Sequence, residues 1–456
     1  MSKPHLTNEP WDAHLIRYGM PFAKRLIERA RGTLIWDSEG REILDFTSGQ
    51  MCATLGHNHP RIVEAIHEAC EGALHLFSGM LSPPVVALSQ RLAAMLPPHL
   101  SKSLFLSTGG EANEAALKLA KMHSGRYEVV AYTGSWHGMT SGAQSVNYVA
   151  GRQGYGPMMP GALALPAPNP YHCPVRHCRD ACDGTCLEVG FDMVDAQSTG
   201  SLAAVIAEPV ESSGGVIVPP EGYWRKVRSH CDKRGMLLIF DEAQTAFGRL
   251  GCDFAFQHFG VEPDMLTLSK TLGGGLPLSA TVISDAMDAD CHEKGFIHPT
   301  SHVSDPLPAH VALAVLDVLA EEDLNARALA MGERLGAGLR YLQDKHEIIG
   351  DVRGFGLLQG VELVKDRETR APDAPTGRAI TARCMELGLS MNIVSVGSMA
   401  AIWRIAPPLT VTREEIERGV AILDQAIGEV VAEGAKTALR VLVSTSGTSR
   451  SVSNRG

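Results

Sequence analysis

The 456-residue sequence lacks long hydrophobic runs, an excess of basic residues and a high content of aromatic side chains. Its two longest uncharged stretches are 129–151, which is too polar to enter a bilayer, and 153–175, which six prolines interrupt. Neither stretch predicts a membrane span. The formal net charge of −10 gives no basic surface of the kind that binds nucleic acid or an anionic membrane.

Cysteine is also scarce. Ten cysteines in a chain of this length predict a reduced, cytoplasmic protein and not a disulfide scaffold. The first five residues, Met1 to His5, contain no apolar core, so a secretory signal is not expected. With 45% hydrophobic and 20% charged residues, the composition is that of a globular chain with enough residues for two or three domains.

From about residue 60, short apolar segments alternate with helical patterns. The predicted strands are Ser103–Leu106, Glu128–Ala131, Ala203–Ile206, Leu237–Phe240, Met265–Leu268 and Thr281–Ser284. This alternation predicts an α/β fold with a mostly parallel sheet covered by helices on both faces. In such folds the ligand site lies beyond the carboxyl ends of the strands.

Outside this region the patterns predict four further features. A hairpin is expected over 32–46, and one long helical stretch over Pro308–Lys345. A last amphipathic helix follows the capping box Thr412-Arg413-Glu414-Glu415. The tail, over 437–456, is rich in serine, threonine and glycine and is predicted to be disordered.

Three features that follow predicted strands each allow two interpretations. The turn that contains Thr108, Gly109 and Gly110 is either a plain turn or a phosphate cradle at a helix N-terminus. Asp241 is either a helix N-cap or a carboxylate directed at a ligand, and Lys270 is either a solvated lysine or a Schiff-base amine. Together they fit pyridoxal phosphate, which needs a phosphate cradle, a carboxylate against its pyridine nitrogen and a lysine.

At this point the sequence resembles the class III, fold-type I pyridoxal-phosphate aminotransferases over about residues 15–436. The motifs that carry the resemblance are Gly56-His57-Asn58-His59-Pro60, Ile206-Ala207-Glu208-Pro209, Asp241-Glu242-Ala243-Gln244 and Ser269-Lys270. The resemblance implies a large cofactor-binding domain over 61–320. A smaller α/β domain would be built from both chain ends, 1–60 and 321–436.

Within this class, the chain most resembles the 2,2-dialkylglycine decarboxylases, because Gln50-Met51 follows Ser48-Gly49. That resemblance implies decarboxylation of a 2,2-dialkylglycine, such as 2-aminoisobutyrate, to a ketone and CO₂. Transfer of the amino group to pyruvate would then give L-alanine. The alternative is an ordinary class III aminotransferase that moves an amino group from an ω- or α-amino donor to a 2-oxo acid without decarboxylation. In either case the partners are small amino and oxo acids.

The resemblance also implies a role for individual residues. Lys270 would hold the cofactor and move the proton, and Gln50 would contact the carboxylate that leaves. The other expected cofactor contacts are Asp241 at the pyridine nitrogen, Gln244 at the ring hydroxyl, Trp136 and Ala243 on the ring faces, Glu208, and Thr108, Gly109 and Gly110 at the phosphate. Arg404 and Ser213 would bind a substrate carboxylate. Thr300 or Ser301 of a neighbouring subunit would complete the phosphate site, which implies a homodimer or homotetramer with shared active sites.

The same resemblance implies alkali cations. Ligands of a potassium-type site would be Leu76, Ser78, Ser301, Val303 and Asp305, and a second, sodium-type site would involve Ala93, Leu96, Pro97 and Leu100. Leu96 stands where the family has a hydroxyl residue, which argues against the second site. Cys52 and the segment 297–301 also depart from the family pattern near the substrate pocket.

Two possible metal motifs remain. Cys173, Cys178, Cys182 and Cys186 have spacings wider than the usual C-x₂-C pairs of structural zinc, so reduced loop thiols are favoured over a zinc site. His57 and His59 form an H-x-H pair, but Pro60 and a helix start follow, which favours a packed turn over a metal site.

Overall fold

The computed structural model of the chain describes residues 12–19, 22, 23, 25–394 and 401–446, with the backbone alone for 392–394 and 435–446. The strands are β1 (Ile27–Arg31), β2 (Leu34–Asp37), β3 (Glu42–Asp45), β4 (Lys102–Leu106), β5 (Glu128–Tyr132), β6 (Ala162–Leu165), β7 (Leu202–Ala207), β8 (Leu237–Asp241), β9 (Met265–Leu268), β10 (Ser279–Ile283), β11 (Ile349–Phe355), β12 (Leu358–Leu363), β13 (Leu389–Ser390), β14 (Asn392–Val394) and β15 (Ile402–Ile405).

The helices form the outer layers. In chain order they are α1 (Ser48–Met51), α2 (Pro60–Ala69), α3 (Pro83–Met95), α4 (Gly109–Ser124), α5 (Ser141–Ser145), α6 (Thr185–Gln197), α7 (Tyr223–Arg234), α8 (Ala255–Phe259), α9 (Asp285–Glu293), α10 (Pro306–Glu321), α11 (Leu324–Lys345), α12 (Ala374–Leu387) and α13 (Arg413–Ser446). In the described part of the chain, none of them combines the length and the apolar character that a bilayer crossing requires.

The large sheet has the strand order β4-β10-β9-β8-β7-β5-β6. Strand β10 runs antiparallel to both of its neighbours, and the strands from β9 to β6 pair in parallel. The prediction of a mostly parallel sheet is therefore confirmed. All residues of β7 are buried, because helices cover both faces of the sheet, and this explains its uninterrupted apolar sequence.

Two smaller sheets, with the orders β1-β2-β3-β13 and β11-β12-β15-β14, complete the fold. The hairpin predicted over 32–46 is formed by β2 and β3, where Leu34 pairs with Leu44 and Trp36 with Glu42. Strand β13 pairs in parallel with β3. Both chain ends therefore contribute to the smaller α/β part, as expected. The domain boundaries drawn from the sequence remain predictions.

The helical stretch predicted over Pro308–Lys345 is two helices, α10 and α11. Asp323 breaks it with φ of +45°, a left-handed conformation that cannot continue an α-helix. At the last helix the capping box is confirmed: Thr412 N–H donates to Glu415 Oε2 (2.8 Å), and Glu415 N–H donates to Thr412 Oγ1 (3.2 Å).

Helix α13 continues through Ser446, beyond residue 436, where the composition predicted an irregular tail. Four residues of this continuation, Ala438, Leu439, Arg440 and Leu442, favour a helix, whereas the other six are threonine, valine and serine. The rest of the predicted tail, 447–456, lies outside the described residues, as do Met1 to His5.

Two helical glycines give opposite predictions for stability. A Cβ at Gly332 in α11 would lie 2.2 Å from the backbone oxygen of Gly356, whereas a Cβ at Gly428 in α13 would have nothing within 4 Å. We expect Gly332→Ala to destabilise the protein by about 1–3 kcal/mol through overpacking. Gly428→Ala should stabilise it by up to ~1 kcal/mol through the helix propensity of alanine. The measurement is the midpoint of thermal unfolding, and equal shifts in both variants would contradict this packing.

Candidate active site

A cavity of about 360 Å³ opens at the carboxyl ends of the large sheet. Its walls include ten residues predicted from the sequence as cofactor or substrate contacts: Gln50, Thr108, Gly109, Gly110, Trp136, Glu208, Asp241, Ala243, Gln244 and Lys270. They come from the ends of several strands and from the loop after β3. The site therefore lies where a parallel sheet places its ligands.

Asp241, the last residue of β8, is buried and held by two donors. Asn113 Nδ2 donates to its Oδ2 at 2.7 Å, and His137 Nδ1 lies 2.8 Å from the same oxygen. Burial opposes ionisation, but the hydrogen bond and charge of His137, together with the charge of Lys270, bring the pKa of Asp241 below its usual value. An ionised carboxylate thus faces the cavity at neutral pH.

Asn113 and His137 are not among the site residues predicted from the sequence. Asn113 is buried in α4, where it also donates to the backbone oxygen of His137 (2.8 Å) and accepts a hydrogen bond from Thr267 Oγ1 (2.7 Å). The available indication was a single polar residue, Asn113, among the buried alanines and leucines of α4. His137 directly follows Trp136, a residue predicted to contact the cofactor.

Lys270 follows β9 and begins a short 3₁₀ helix, Lys270–Gly273. Its φ of +48° lies in the left-handed region, which is strained for a residue with a side chain. Burial lowers the pKa of Lys270, while the negative charge of Asp241 partly opposes this shift. A lysine with a lowered pKa has a larger fraction of neutral amine, the form that reacts with a carbonyl group.

The turn after β4 has the structure of an anion cradle. Thr108 caps the 16-residue helix α4, and the capping box is completed by Glu111, whose carboxylate accepts from Thr108 N–H at 2.9 Å. Gly109 and Gly110 occupy the first turn, where backbone N–H groups are free to bind a phosphate. The start of α4 lies close to the loop after β5, since a Cβ at Gly138 would lie 2.4 Å from Gly110 Cα.

Ser213 and Arg404 are connected by hydrogen bonds to Gln244, which lines the cavity. Gln244 Nε2 donates to Ser213 Oγ at 3.3 Å, and Arg404 Nη1 donates to the same oxygen at 3.2 Å. Arg404 is 7% exposed, and its Nε has no hydrogen-bond partner among the described residues. Burial lowers the pKa of Arg404 to about 10, so the guanidinium remains charged at neutral pH. A carboxylate is the natural ligand for this group.

Glu208 follows β7 and connects two loops of the site. It accepts hydrogen bonds from the backbone N–H of Trp136 (3.2 Å) and of Ser212 (3.1 Å). Burial and the charge of Asp241 raise the pKa of Glu208 to about 7. The carboxyl group therefore orients the loop that carries Trp136.

Gln50 lies in a strained loop at the mouth of the cavity. Ser48 (φ +49°) and Met51 (φ +62°) are both left-handed, and Asp45 Oδ2 accepts from Gly49 N–H at 2.8 Å. Cys52, the departure noted in the sequence, also lines the cavity, and burial raises its pKa. Backbone strain that is held in place by hydrogen bonds is typical of functional loops.

The remaining predicted residues lie away from this cavity. Thr300 and Ser301 do not line it, and Thr300 Oγ1 is buried without a partner among the described residues. In the predicted potassium-type site, both oxygens of Asp305 are hydrogen-bonded, to His75 Nδ1 (2.7 Å) and His302 Nδ1 (2.6 Å). These bonds join the segments 75–78 and 301–305, and the cation assignment remains a prediction.

The predicted sodium-type site is less favourable. The Leu96 side chain packs in the hydrophobic core, and the carbonyl of Pro97 accepts from Leu100 N–H at 2.8 Å.

The histidines of the H-x-H pair bind different carboxylates, with His57 Nε2 2.8 Å from Asp45 and His59 Nε2 3.3 Å from Glu322. This arrangement agrees with a packed turn.

These residues fit pyridoxal phosphate. Gly110 and Gly138 have no side chains, so a phosphate can approach the backbone of the first turn of α4. Asp241 is ionised, as the pyridine nitrogen requires. The amine of Lys270 has no hydrogen bond or ion pair among the residues that the structure describes. Fold and site together define the class of fold-type I pyridoxal-phosphate-dependent enzymes.

Comparison with known proteins gives the family. The family described as "Aminotransferase class-III" matches residues 18–427. An uncharacterized aminotransferase of Schizosaccharomyces pombe is 49% identical over 414 residues, which cover 91% of this chain and 92% of that protein. The 5-aminovalerate aminotransferase DavT of Pseudomonas aeruginosa is 37% identical over 412 residues, 88% and 93% of the two chains. The chain belongs to the class III aminotransferase family.

Solved structures agree with this assignment. An amine transaminase from an uncultivated Pseudomonas species, in its PLP-bound form, superposes with a TM-score of 0.85 at 30% sequence identity. The match covers 91% of this chain and 99% of the transaminase. The predicted fold type is confirmed, and pyridoxal phosphate is the cofactor expected of this family.

The electrostatics of the site predict how Lys270 titrates. In cofactor-free protein, Lys270 should react with acetic anhydride at lower pH than Lys102, because burial lowers the pKa of Lys270 and the Asp285 hydrogen bond raises that of Lys102. In Asp241→Asn the pKa of Lys270 should fall further, since the negative charge that favours its ammonium form is gone. Competitive labelling across pH with mass spectrometry measures both lysines in one sample. An unchanged Lys270 profile in that variant would contradict the coupling.

Proposed function

We propose that this enzyme transfers the amino group of an amino acid to a 2-oxo acid, with Arg404 and Ser213 binding the carboxylate of each substrate. The observation that carries the proposal is the buried, charged Arg404, which has no carboxylate partner among the described residues and adjoins the cavity through Ser213. Its planar guanidinium can bind a carboxylate through two parallel hydrogen bonds. The relatives that transfer amino groups support the same reaction type.

Each residue of the cavity then has a distinct task. Bound pyridoxal phosphate supplies an electron sink for the charge that develops at the substrate Cα. Lys270 Nζ accepts the Cα proton and returns it, a task that its lowered pKa favours. Asp241 keeps the pyridine nitrogen protonated, and Gln244 donates to the ring hydroxyl. Trp136 and Ala243 exclude water from the ring faces.

Binding geometry selects the bond that breaks. The electrons of a Cα bond overlap the ring system only when the bond stands perpendicular to the ring. An L-amino acid with its carboxylate on Arg404 would leave its Cα–H bond, and not its carboxylate, for Lys270 to act on. The position in which the enzyme holds the carboxylate therefore decides which Cα bond breaks, because it stabilises the transition state for breaking that bond more than the others.

A second candidate function is decarboxylating transamination of a 2,2-dialkylglycine. It is favoured by Gln50, which lines the cavity from a strained loop. Such a substrate has no Cα–H, so the Cα–carboxylate bond breaks and CO₂ leaves, and the electron pair of that bond, together with a proton, would be taken up by bound pyridoxal phosphate. Hydrolysis would then release the ketone and leave the amino group on the cofactor, from which it would pass to pyruvate. A neutral amide holds the departing carboxylate less firmly than an arginine would, which avoids stabilising the ground state.

Two half-reactions distinguish these functions. Wild-type enzyme should transaminate L-alanine. If the second function holds, it should also release CO₂ and acetone from 2-aminoisobutyrate, and Gln50→Ala should lose about 10- to 100-fold of that rate, the effect of one hydrogen bond to a charged group. L-Alanine transamination should change much less in Gln50→Ala.

The matched variant is Arg404→Gln, which should instead reduce kcat/KM for L-alanine. Transamination without any CO₂ from 2-aminoisobutyrate would leave the plain aminotransferase as the function. Intact L-alanine activity in Arg404→Gln would contradict the carboxylate site itself.

We also propose that the enzyme is a homo-oligomer that binds a potassium-type cation at Leu76, Ser78, Ser301, Val303 and Asp305. Support comes from the hydrogen bond of His75 to Asp305, which brings the segments 75–78 and 301–305 together. Because Ser301 or Thr300 of the partner subunit would touch the phosphate, the cation would couple to the cofactor. Such oxygen donors suit a hard cation.

This coupling predicts cation-dependent activity. The rate should be higher in potassium than in lithium buffer, because the smaller ion would pull Ser78 and Ser301 inward. In Asp305→Asn, which removes the one charged ligand, the difference between the two buffers should shrink. Equal wild-type rates in potassium, sodium and lithium would contradict the cation site.

A further inference from the structure

The loop between β6 and α6, residues 166–184, is unusually long for a connection between a strand and a helix. Its one regular element is a 3₁₀ turn, Arg176–Cys178. Loops of this length without helices or strands are uncommon in compact domains and usually have a function of their own. The apolar cluster inside this loop consists of three buried cysteines, with Val175 and Cys182 packed against them. It contains no large hydrophobic side chain.

Three of the four cysteines of this region form a close group, and the fourth, Cys182, lies beside one of them. The sulfur atoms of Cys173, Cys178 and Cys186 all lie within 4.8 Å of one another, and these residues are 1%, 0% and 2% exposed. Cys182 Sγ is 3.8 Å from Cys186 Sγ. All four are free thiols. Their wide spacing in the sequence favoured unrelated loop thiols, but the fold brings them together.

The distances are those of a single tetrahedral ion. With metal–sulfur bonds of about 2.3 Å, the edge of a ZnS₄ tetrahedron is about 3.8 Å. The Cys182–Cys186 separation has this value, and the sulfurs of Cys173, Cys178 and Cys186 lie at most about 1 Å farther apart than this edge. Four sulfur ligands in tetrahedral geometry indicate zinc or iron–sulfur chemistry, not a hard cation.

We propose that Cys173, Cys178, Cys182 and Cys186 bind one structural Zn²⁺ ion. Binding exchanges thiol protons for the metal: each cysteine gives up its proton to solvent, four sulfur–zinc bonds form, and no electron is transferred. With four ligands the coordination sphere is closed, which is typical of a structural site and leaves no position for a reacting water.

The surroundings suit a thiolate cluster. Cys186 lies in the first turn of the 13-residue helix α6, whose N-terminal partial charge stabilises thiolate. Without an ion, the buried thiols of Cys173, Cys178 and Cys186 are packed against one another with no bond between them, which costs the solvation of their S–H groups. A dication removes this cost.

Two other chemistries fit less well. A disulfide between Cys182 and Cys186 would leave two buried thiols beside it without a function. In a four-iron cluster each cysteine binds a different iron, so the sulfurs stand apart around the inorganic core. Three sulfurs within 4.8 Å leave no room for that core.

The proposed ion would fix the loop against the smaller part of the molecule. Beside the cluster, Arg370 donates to the backbone oxygen of Tyr171 (2.7 Å) and to Asp180 (2.8 Å), and His172 hydrogen-bonds Glu362. Glu362 also pairs with Arg353 (2.7 Å), which donates to the backbone oxygen of Gly215 at 2.9 Å. Gly215 is two residues from Ser213, so the loop connects to the proposed carboxylate site.

The experiment measures metal in the purified full-length enzyme after gel filtration in metal-free buffer. Elemental analysis should give about one zinc per chain in the wild type and below about 0.2 in Cys178→Ser/Cys186→Ser. The matched control is Cys231→Ser, a buried cysteine on α7 outside the cluster, which should keep its zinc. Wild type without zinc, zinc retained in the double variant, or stoichiometric iron would overturn the proposal.

A second measurement on the wild type covers the case in which the double variant fails to fold. The zinc K-edge X-ray absorption spectrum should show four sulfur neighbours at about 2.3 Å. Nitrogen or oxygen neighbours would mean that the ion is bound elsewhere, and would overturn the assignment. So would a Cys182–Cys186 disulfide found by mass spectrometry under non-reducing conditions.

Discussion

The hydrogen bonds to Asp241 are the interaction on which the rest of the site depends. A buried carboxylate stays ionised only if donors compensate for the loss of water, and here Asn113 and His137 both reach Oδ2. These donors come from α4 and from the loop after β5. One charge therefore fixes a strand end, a helix and a loop relative to one another, and it also favours the ammonium form of Lys270.

The fold places the proposed cofactor contacts and the proposed substrate contacts on different sheets. The carboxyl ends of the large sheet position Thr108, Asp241 and Lys270, whereas Arg404 comes from β15 in a smaller sheet and Gln50 from the loop after β3. Residues on the smaller sheets can vary the position of a substrate carboxylate, and hence the bond that breaks, without disturbing the cofactor contacts.

A buried arginine connects the segment that carries Gln50 with the strand that carries Arg404. Arg249 donates to the backbone oxygens of Leu357 (3.0 Å) and Pro407 (2.6 Å) and to Ser48 Oγ (3.2 Å), and burial lowers its pKa to about 10. Ser48 Oγ in turn donates to the backbone oxygen of Ala406 at 2.7 Å. The loop that carries Gln50 and the strand that carries Arg404 are thereby held in one arrangement, so the two proposed carboxylate positions keep a fixed separation.

The sequence by itself determined six of the seven strands of the large sheet and the positions of Asp241 and Lys270, because apolar runs buried on both faces leave a clear pattern and functional side chains follow their ends. The edge strand β6 was not predicted. It also determined the capping box at Thr412, which is a local interaction. Only the tertiary structure decided the partners of Asp241, the break at Asp323 and the meeting of the four loop cysteines. These depend on contacts between residues far apart in the chain, and such contacts are set by packing, which no local pattern records.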